Sequence, residues 1–243
     1  TRLKFSLTKK PESIIIIFQN GLGIERALAE LYPDIRQVIT VSWLKATRLS
    51  PGNYRHDFGE LVQGIEYLGR NGTYSSHPNP LEERIIDDFT QAGLSLQFTE
   101  SFFEKQWTKL TLNIPIFILT IKYDISSKTA LSNERYAAEL ALLRVEIQQV
   151  AKAYSIEVDT SFISQVDGQL IASVDHTYPS MKVDYDNKNN LELETTILPV
   201  IEMAMAKHVE IPCLVSECVT YLDIESYQAF VQCGMGEAGA DKD

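Results

Sequence analysis

A lysine and an asparagine lie four residues apart in the segment Trp107-Thr-Lys-Leu-Thr-Leu-Asn113. This spacing places Lys109 and Asn113 on one face of a helix, while Trp107 and Leu110 point towards another. An ammonium group beside a carboxamide can polarise a carbonyl oxygen and deliver a proton to it. Taken alone, however, the pair is more typical of a solvated face on an ordinary helix, and both interpretations stay open at this point.

A glycine-containing turn, Gln19-Asn-Gly-Leu-Gly23, follows a β-branched run at Ser13 to Phe18. Because Ile24, Leu28 and Leu31 then recur at helical spacing, the pattern predicts a strand, a turn and a helix. Open α/β sheets bind ligands at such a position, beyond the carboxyl end of a strand. The dinucleotide fingerprint GxGxxG is absent from the turn and from the whole sequence, and a plain structural turn is the alternative.

Ser180-Met181 and Glu192 form a third group of candidates. We predict a small hydroxyl in a loop and a carboxylate near the start of a helix. A carboxylate is also favoured there by the helix dipole without any function.

The sequence offers little support for a metal site. His56, His77, His176 and His208 show neither HxxxH nor HExxH spacing, and the three cysteines form no CxxC pair. We therefore expect no metal and no Ser-His hydrolase. Three unpaired cysteines also favour a reducing, cytoplasmic compartment over a disulfide framework.

The composition describes a folded, acidic protein. Of 243 residues, 44% are hydrophobic, and 33 acidic against 22 basic residues give a net charge of −11. This charge disfavours a nucleic-acid partner. The longest aliphatic run, Ile14 to Ile17, is far shorter than the about 20 residues of a membrane span, so we expect none. The first residue is not Met, and we expect the chain to begin part-way through a gene product.

The pattern of elements changes near residue 100. Residues 1–99 show alternating strand and helix signals, with a chain reversal at Ser50 to Asn53, a loop at 69–80, and a helix from Leu81 that stops at Gly93. Residues 100–233 are predicted to be helical, and residues 234–243 a flexible tail. The helical segments are expected at 100–123, 133–154 and 192–208, with a further helix opened by Pro212. The fold class is thus α/β followed by all-α.

Taken together and in order, these motifs resemble the ketopantoate reductase (2-dehydropantoate 2-reductase) family. The family pattern has an Asn-Gly turn after a strand, a W-x-K-L-x-x-N helix, and an S-M-x-x-D segment that leads into T-E-I-D. This sequence carries Asn20-Gly21, Trp107 to Asn113, and Ser180-Met181-Lys182-Val183-Asp184 followed by Leu191-Glu-Leu-Glu194. The resemblance spans about Ser13 to Leu222.

The resemblance implies the C-terminal part of a Rossmann-like NADP-binding domain, followed by a helical domain of the 6-phosphogluconate dehydrogenase type. NADPH and a small 2-keto acid would bind, and a homodimer is a family expectation. Lys109 would be the general acid, and Glu192 would lie near the nicotinamide ribose and the substrate hydroxyl. Asn113 and Ser180 would hold the substrate, while Asn20 and Gly21 would contact the cofactor.

Several residues depart from the family pattern. Phe117 stands where the family usually repeats Asn, Thr177 where it often has Asn, and Leu198-Pro199 replace a small residue and its neighbour. The glycine-rich phosphate loop is also missing from this sequence. Two functions therefore remain: an NADPH-dependent reductase of ketopantoate or a close analogue, in pantothenate biosynthesis, and a non-catalytic relative that binds or assembles.

Overall fold

The structure is a computed structural model that describes residues 14–33, 35–59, 61–68, 73–75, 80–173 and 178–221. These residues fall into two compact units, one ending at Gln106 and the other beginning at Trp107. The division predicted after residue 99 stays a prediction, and the tail predicted at 234–243 lies outside the described residues. No helix in the described ranges is long and apolar enough to cross a membrane.

The first unit alternates strands and helices, as the sequence predicted for this part of the chain. Its elements are β1 (Ile14–Ile17), α1 (Ile24–Leu31), β2 (Arg36–Ser42), β3 (Lys45–Ser50), β4 (Asn53–Phe58), β5 (Leu61–Leu68), β6 (Thr73–Ser75), α2 (Pro80–Gln91) and β7 (Ser95–Phe98). Strand β6 lies inside the segment 69–80 that was predicted to be a loop, so that prediction was wrong at these three residues. Gly93, with φ 77°, follows the end of α2 as expected.

Five strands form one mixed sheet in which β1 pairs with β2 in parallel and β2 pairs with β5 antiparallel. The other edge of β5 is shared by antiparallel β6 and parallel β7. The apolar side chains of one sheet face meet the start of the long helix that follows β7, because Ile17, Ile39, Val41, Ile65 and Phe102 form one buried cluster. Burial of these side chains stabilises the strand–turn–helix at the amino end of the unit.

A two-stranded hairpin, β3 with β4, reverses at Pro51-Gly52 where the sequence predicted a turn. After it, Gly59 adopts φ 83° and lies so close to the chain that a Cβ atom would be 2.0 Å from the Trp43 carbonyl oxygen. Only glycine fits this approach, which returns the chain from the hairpin to β5.

The second unit is helical. Its elements are α3 (Phe102–Tyr123, which begins in the first unit), α4 (Ser127–Ser132), α5 (Glu134–Ala153), α6 (Thr160–Ala172), α7 (Ser180–Asp186), α8 (Leu193–Thr196), α9 (Leu198–Ala206) and α10 (Pro212–Tyr221). The segments predicted at 100–123 and 133–154, and the helix opened by Pro212, are confirmed within a few residues. Helices α4, α6 and α7 were not predicted.

Two predictions about local structure in this unit were wrong. Residues 192–208 form two helices rather than one, and Ile197 separates them just before Pro199 in the first turn of α9. Proline lacks the N–H that a continuous helix needs there, so a new helix begins. Ser180 is the first residue of α7 and does not lie in a loop.

Buried polar groups join the helices of this unit. The Glu146 carboxylate on α5 accepts hydrogen bonds from the backbone N–H of Cys213 at 2.8 Å and of Leu214 at 2.7 Å, which caps the start of α10. Arg144 donates two hydrogen bonds, of 2.7 and 2.8 Å, to Asp167 on α6. These contacts fix α10 and α6 against α5.

One buried polar side chain in the sheet lacks such a partner. Gln37 on β2 is 0% exposed, and its two side-chain amide atoms have no hydrogen-bond partner among the described residues. Gln63 on the neighbouring strand β5 accepts a hydrogen bond of 3.0 Å from the Trp43 indole N–H. The two glutamines therefore provide a matched comparison, since the side chain of Gln37 has no hydrogen-bond partner among the described residues and that of Gln63 has one.

We expect Gln37→Met to raise the free energy of unfolding by about 1–3 kcal/mol, because a buried amide without partners costs about that much. Urea denaturation should show a higher midpoint at an unchanged slope. Gln63→Met is the control and should lower stability, since it removes the partner of Trp43. A loss of stability in Gln37→Met equal to that in the control would contradict the assignment.

Candidate functional site

Helix α3 is buried on almost every side within the second unit. From residue 107 to residue 121, every side chain is buried except those of Lys109 and Asn113, which are half-buried. These two residues are four apart, so the helix has one narrow polar opening in an otherwise apolar surface. The face predicted from the sequence is therefore the only part of this stretch that a ligand could reach.

Hydrogen bonds within the unit satisfy the threonines that α3 buries. Thr108 Oγ1 accepts from the Asp159 backbone N–H at 2.9 Å, and this residue is also the N-cap of α6. Thr111 Oγ1 donates to the Trp107 carbonyl oxygen at 2.8 Å. Because these groups are paired, α3 can be surrounded by other helices without unsatisfied hydroxyls.

The surroundings of Lys109 change its acidity. Burial lowers the pKa of its ammonium from 10.5 to about 8, while the negative charge of Glu192 acts in the opposite direction. Desolvation disfavours the charged form, and a nearby carboxylate favours it. Lys109 is therefore an amine that can give up its proton close to neutral pH.

Glu192 is placed by the start of helix α8. It is the residue before the first helical turn, and its carbonyl oxygen accepts from the Thr196 backbone N–H at 3.1 Å. The Thr195 hydroxyl also donates to this carbonyl oxygen, at 3.5 Å. These bonds fix the backbone of Glu192, whose half-buried side chain interacts electrostatically with Lys109.

Ser180 and Phe117 are the other residues of interest in the second unit. Ser180 is exposed at the start of α7, and Phe117 is buried in the core, one turn after Asn113. The structure thus places Lys109 and Asn113 on one face and couples Lys109 to Glu192, while a separate helix positions Ser180. Phe117 contributes packing and offers no polar contact.

The first unit contains the turn that carries Asn20 and Gly21. Gly21 has φ 111° and Gly23 has φ 77°, conformations that side chains other than glycine rarely adopt. The Gly23 carbonyl oxygen accepts a hydrogen bond from the backbone N–H of Arg26. This bond belongs to the first turn of α1. Asn20 lies three residues after the end of β1 and is half-buried.

Sequence reasoning missed a residue that holds this turn. The Gln106 side-chain N–H donates to the Gly21 carbonyl oxygen at 2.9 Å. Gln106 lies in α3, but like the turn it belongs to the first unit. The contact joins residues 85 positions apart in the sequence, so no local pattern could have revealed it.

The two cysteines among the described residues are poor nucleophiles. Burial, with a smaller contribution from Glu146, raises the pKa of the Cys213 thiol to about 11, and burial raises that of Cys218 to about 12. Both thiols stay protonated near neutral pH, whereas catalysis needs a thiolate. Among the described residues, no group of three or more His, Cys, Asp or Glu side chains is arranged to hold a metal ion.

Comparison with protein families gives two matches along the chain. Residues 101–219 match the family described as "Ketopantoate reductase PanE/ApbA C terminal", and residues 7–66 match "Ketopantoate reductase PanE/ApbA". The chain belongs to the ketopantoate reductase family. The predicted resemblance and the predicted fold class, a Rossmann-like part followed by a helical domain, are confirmed.

Two curated relatives are similar over most of this chain. The 2-dehydropantoate 2-reductase of Nostoc sp. is 26% identical to this member of the ketopantoate reductase family. The match covers 84% of this chain and 63% of the length of the Nostoc protein. That of Halobacterium salinarum is 24% identical over 83% of the chain and 64% of its own length. The chain therefore spans less than two thirds of the length of either relative.

Solved structures share the fold at lower identity. The 2-dehydropantoate 2-reductase from Geobacter metallireducens has a TM-score of 0.72 at 21% identity, covering 84% of this chain and 66% of that one. A ternary structure of D-mandelate dehydrogenase with NADH and anilino(oxo)acetate has a TM-score of 0.70 at 18% identity. The match covers 86% of this chain and 66% of that one. At these identities the likeness establishes the fold alone.

The lowered pKa of Lys109 predicts how stability depends on pH. Near pH 7 the lysine is charged in both states, and burying the charge costs the folded state about 3 kcal/mol. Lys109→Met should therefore raise the free energy of unfolding by about this amount at pH 7. Between pH 8 and 10.5 the unfolded state binds more protons, so the parent protein gains stability and the variant's advantage disappears.

Urea denaturation at pH 7, 9 and 10.5 measures this difference. Lys152 lies exposed on α5 and is the matched control, because Lys152→Met should leave the unfolding free energy nearly unchanged at each pH. An unchanged or reduced stability of Lys109→Met at pH 7 would show that the ammonium is not desolvated.

Proposed function

We propose that this protein catalyses the NADPH-dependent reduction of a small 2-keto acid, ketopantoate or a close analogue. One observation carries the proposal: between residues 107 and 121 of helix α3, only Lys109 and Asn113 are not fully buried, and the lysine has a pKa of about 8. Membership of the ketopantoate reductase family supports it, as do two curated relatives named 2-dehydropantoate 2-reductase.

Lys109 would act as the general acid. In the reduction, its Nζ would donate a proton to the ketone oxygen as the carbonyl carbon receives hydride, so that the ketone becomes a hydroxyl group. A general acid works best with a pKa near the operating pH, since it is then both charged and ready to release its proton. An ordinary surface lysine near 10.5 would hold that proton too tightly.

Glu192 would tune and assist this acid. Its negative charge raises the pKa of Lys109 against the effect of burial, which keeps more of the amine protonated near neutral pH. Its carboxylate can also accept a hydrogen bond from a hydroxyl of the substrate or of the nicotinamide ribose. Glu192 thus has two proposed roles in the same site.

Asn113 and Ser180 would hold the substrate. A carboxamide both donates and accepts hydrogen bonds, and a serine hydroxyl does the same, so these groups suit a substrate with a hydroxyl and a carboxylate. Because Phe117 is buried among apolar side chains, it adds no polar contact one turn further along α3. Because this polar contact is absent, we propose that the substrate can be a 2-keto acid other than ketopantoate itself.

Asn20 and Gly21 would contact the cofactor. Their turn follows β1, where an α/β sheet binds ligands, and the left-handed Gly21 lets backbone approach closely. The bond from Gln106 to the Gly21 carbonyl oxygen fixes this turn in one conformation. These features fit the nicotinamide end of a dinucleotide. NADPH, when bound, supplies the hydride.

Two of the solved structures support the proposed cofactor, substrate class and dimer by analogy. The D-mandelate dehydrogenase structure is described with NADH and an oxo acid, and a ketopantoate reductase structure from Staphylococcus aureus is described as dimeric. By analogy, we propose a nicotinamide cofactor, a 2-oxo acid substrate and a homodimer in the cytoplasm. The choice of NADPH over NADH is part of the proposal.

The reaction can be tested with the protein in its natural length. NADPH should bind with a change in nucleotide fluorescence, and added ketopantoate should be reduced, seen as loss of absorbance at the nicotinamide wavelength. Lys109→Ala should lower kcat by at least about 100-fold, a typical contribution of a general acid, with little loss of stability. Lys152→Met is the control and should keep the parent kcat.

Three results would change this proposal. Binding of NADPH without oxidation by ketopantoate would move the search to other 2-keto acids. A failure to bind any nicotinamide nucleotide would favour a non-catalytic relative. Near-normal turnover in Lys109→Ala would remove this lysine from the mechanism.

The pH profile tests the coupling of Lys109 to Glu192. Reduction needs the protonated amine, so kcat/KM should fall as the pH rises through about 8. Glu192→Gln removes the charge that raises the pKa of Lys109, and the fall should therefore begin at lower pH. An alkaline limb at the same pH in both proteins would exclude Lys109 as the titrating group.

A further inference from the structure

A second buried lysine lies next to a proposed substrate-binding residue. Lys182 on α7 is 2% exposed, and its position follows Ser180 by two residues. Its ammonium bonds to Asp124, at 2.8 Å, and to Asp186, four residues further along the same helix. The charge is thus buried and balanced by two carboxylates that reach it from the surface.

The same ammonium also contacts the segment that leads into α7. It lies 5.9 Å from the centre of the Tyr178 ring, within the range of a cation–π contact. Tyr178 and Asp186 stand on either side of Ser180 in the sequence. The buried ammonium of Lys182 therefore contacts a residue before Ser180 and a residue after it in the sequence.

Asp124 belongs to the end of helix α3. It directly follows Tyr123, the last residue of the helix, and adopts the left-handed conformation with φ 51°. The pair Lys182–Asp124 consequently joins the helix that carries Ser180 to the helix that carries Lys109 and Asn113. All these residues belong to the second unit.

Helix α7 needs such an anchor. It has seven residues, and Pro179 before it provides no side-chain cap. A helix this short is unstable by itself, so its position depends on tertiary contacts. Met181 and Lys182 are its two buried residues, and Met181 supplies only apolar packing, which tolerates small rotations better than an ion pair does.

The geometry of a helix links the burial of Lys182 to the direction of Ser180. Each residue turns the helix by about 100°, so two residues place the side chains on nearly opposite sides. Lys182 is buried and Ser180 is exposed, as this spacing requires. A rotation of α7 by one residue would withdraw the ammonium from Asp124 and leave a buried charge with fewer partners.

We infer that Lys182 is a positioning residue that fixes the rotation of helix α7 through Asp124 and thereby aims Ser180 at the keto acid. This inference rests on the proposed function, because Ser180 has a role only if the substrate binds there. Burial alone would lower the pKa of Lys182, but hydrogen bonds to Asp124 and Asp186 outweigh it and raise the pKa. The ammonium stays charged and paired throughout the working pH range.

The first test is a pair of variants that differ in what they remove. Lys182→Met deletes the charge, whereas Asp124→Asn changes an exposed carboxylate, 88% accessible, at a left-handed position that asparagine tolerates. Both should raise KM for ketopantoate about five- to tenfold with kcat within twofold of the parent. Glu157→Gln changes an exposed carboxylate elsewhere in the unit and is the control, with KM unchanged.

Two further variants separate positioning from simple packing. Lys182→Arg keeps the charge and should restore KM to within about threefold of the parent. The double variant Lys182→Met/Asp124→Asn should have the same KM as Lys182→Met alone, because the two residues act as one unit. A merely structural role would instead lower the active fraction, which reduces apparent kcat and leaves KM unchanged.

Hydrogen exchange gives a readout that does not depend on activity. Amides of residues 180–186 should exchange faster in Lys182→Met and Asp124→Asn than in the parent, with α5 unchanged. Unchanged exchange in α7 overturns the inference whether or not the protein is active. Faster exchange with an unchanged KM also overturns it, because α7 would then move without affecting the substrate.

The activity of the parent protein distinguishes a failure of the proposed function from a failure of the proposed role of Lys182. If the parent reduces no 2-keto acid, the proposed function fails, and with it the role of Lys182 in substrate positioning. If the parent is active, only a raised KM together with faster exchange in α7 supports that role.

Discussion

Helix α3 has to bury an apolar surface on nearly every side and still carry an ammonium group. From residue 107 to residue 121, only Lys109 and Asn113 remain half-buried, so the surrounding helices leave one gap along this helix. The charge in that gap is costly, and the carboxylate of Glu192 partly offsets the cost. Backbone hydrogen bonds at the start of α8 fix the position of Glu192.

Two lysines on the same helix show how the surroundings decide the chemistry. Burial lowers the pKa of Lys109, and the charge of Glu192 only partly opposes this effect. Burial also acts on Lys122, but its hydrogen bonds of 2.9 Å to Glu217 and Glu139 outweigh the effect and raise its pKa. Lys122 therefore stays charged and ties α3 to α5 and α10, while Lys109 can exchange a proton. Lys122 is a structural contact, whereas Lys109 has the lowered pKa that the proposed acid catalysis needs.

The fold could be predicted from the sequence where the local signals were strong. The aliphatic strand Ile14–Ile17, the turn that follows it and the long helix α3 combine strong periodicity with clear end signals. Shorter helices were missed because their stability comes from tertiary contacts. Helix α6, for example, begins where Asp159 caps it while bonding to Thr108 of α3, a contact 51 residues away in sequence. No local pattern contains such a contact.

The candidate site, like the fold, could be predicted from the sequence only in part. The sequence by itself determined the residue types and their order, and the spacing of Lys109 and Asn113 determined their common helix face, since this depends only on the helical repeat. Only the tertiary structure decided that this face is the opening in a buried helix, that Glu192 acts on the lysine, and that Lys182 bonds to Asp124. The pKa of an amine depends on the atoms packed around it, and those atoms come from segments far apart in the chain.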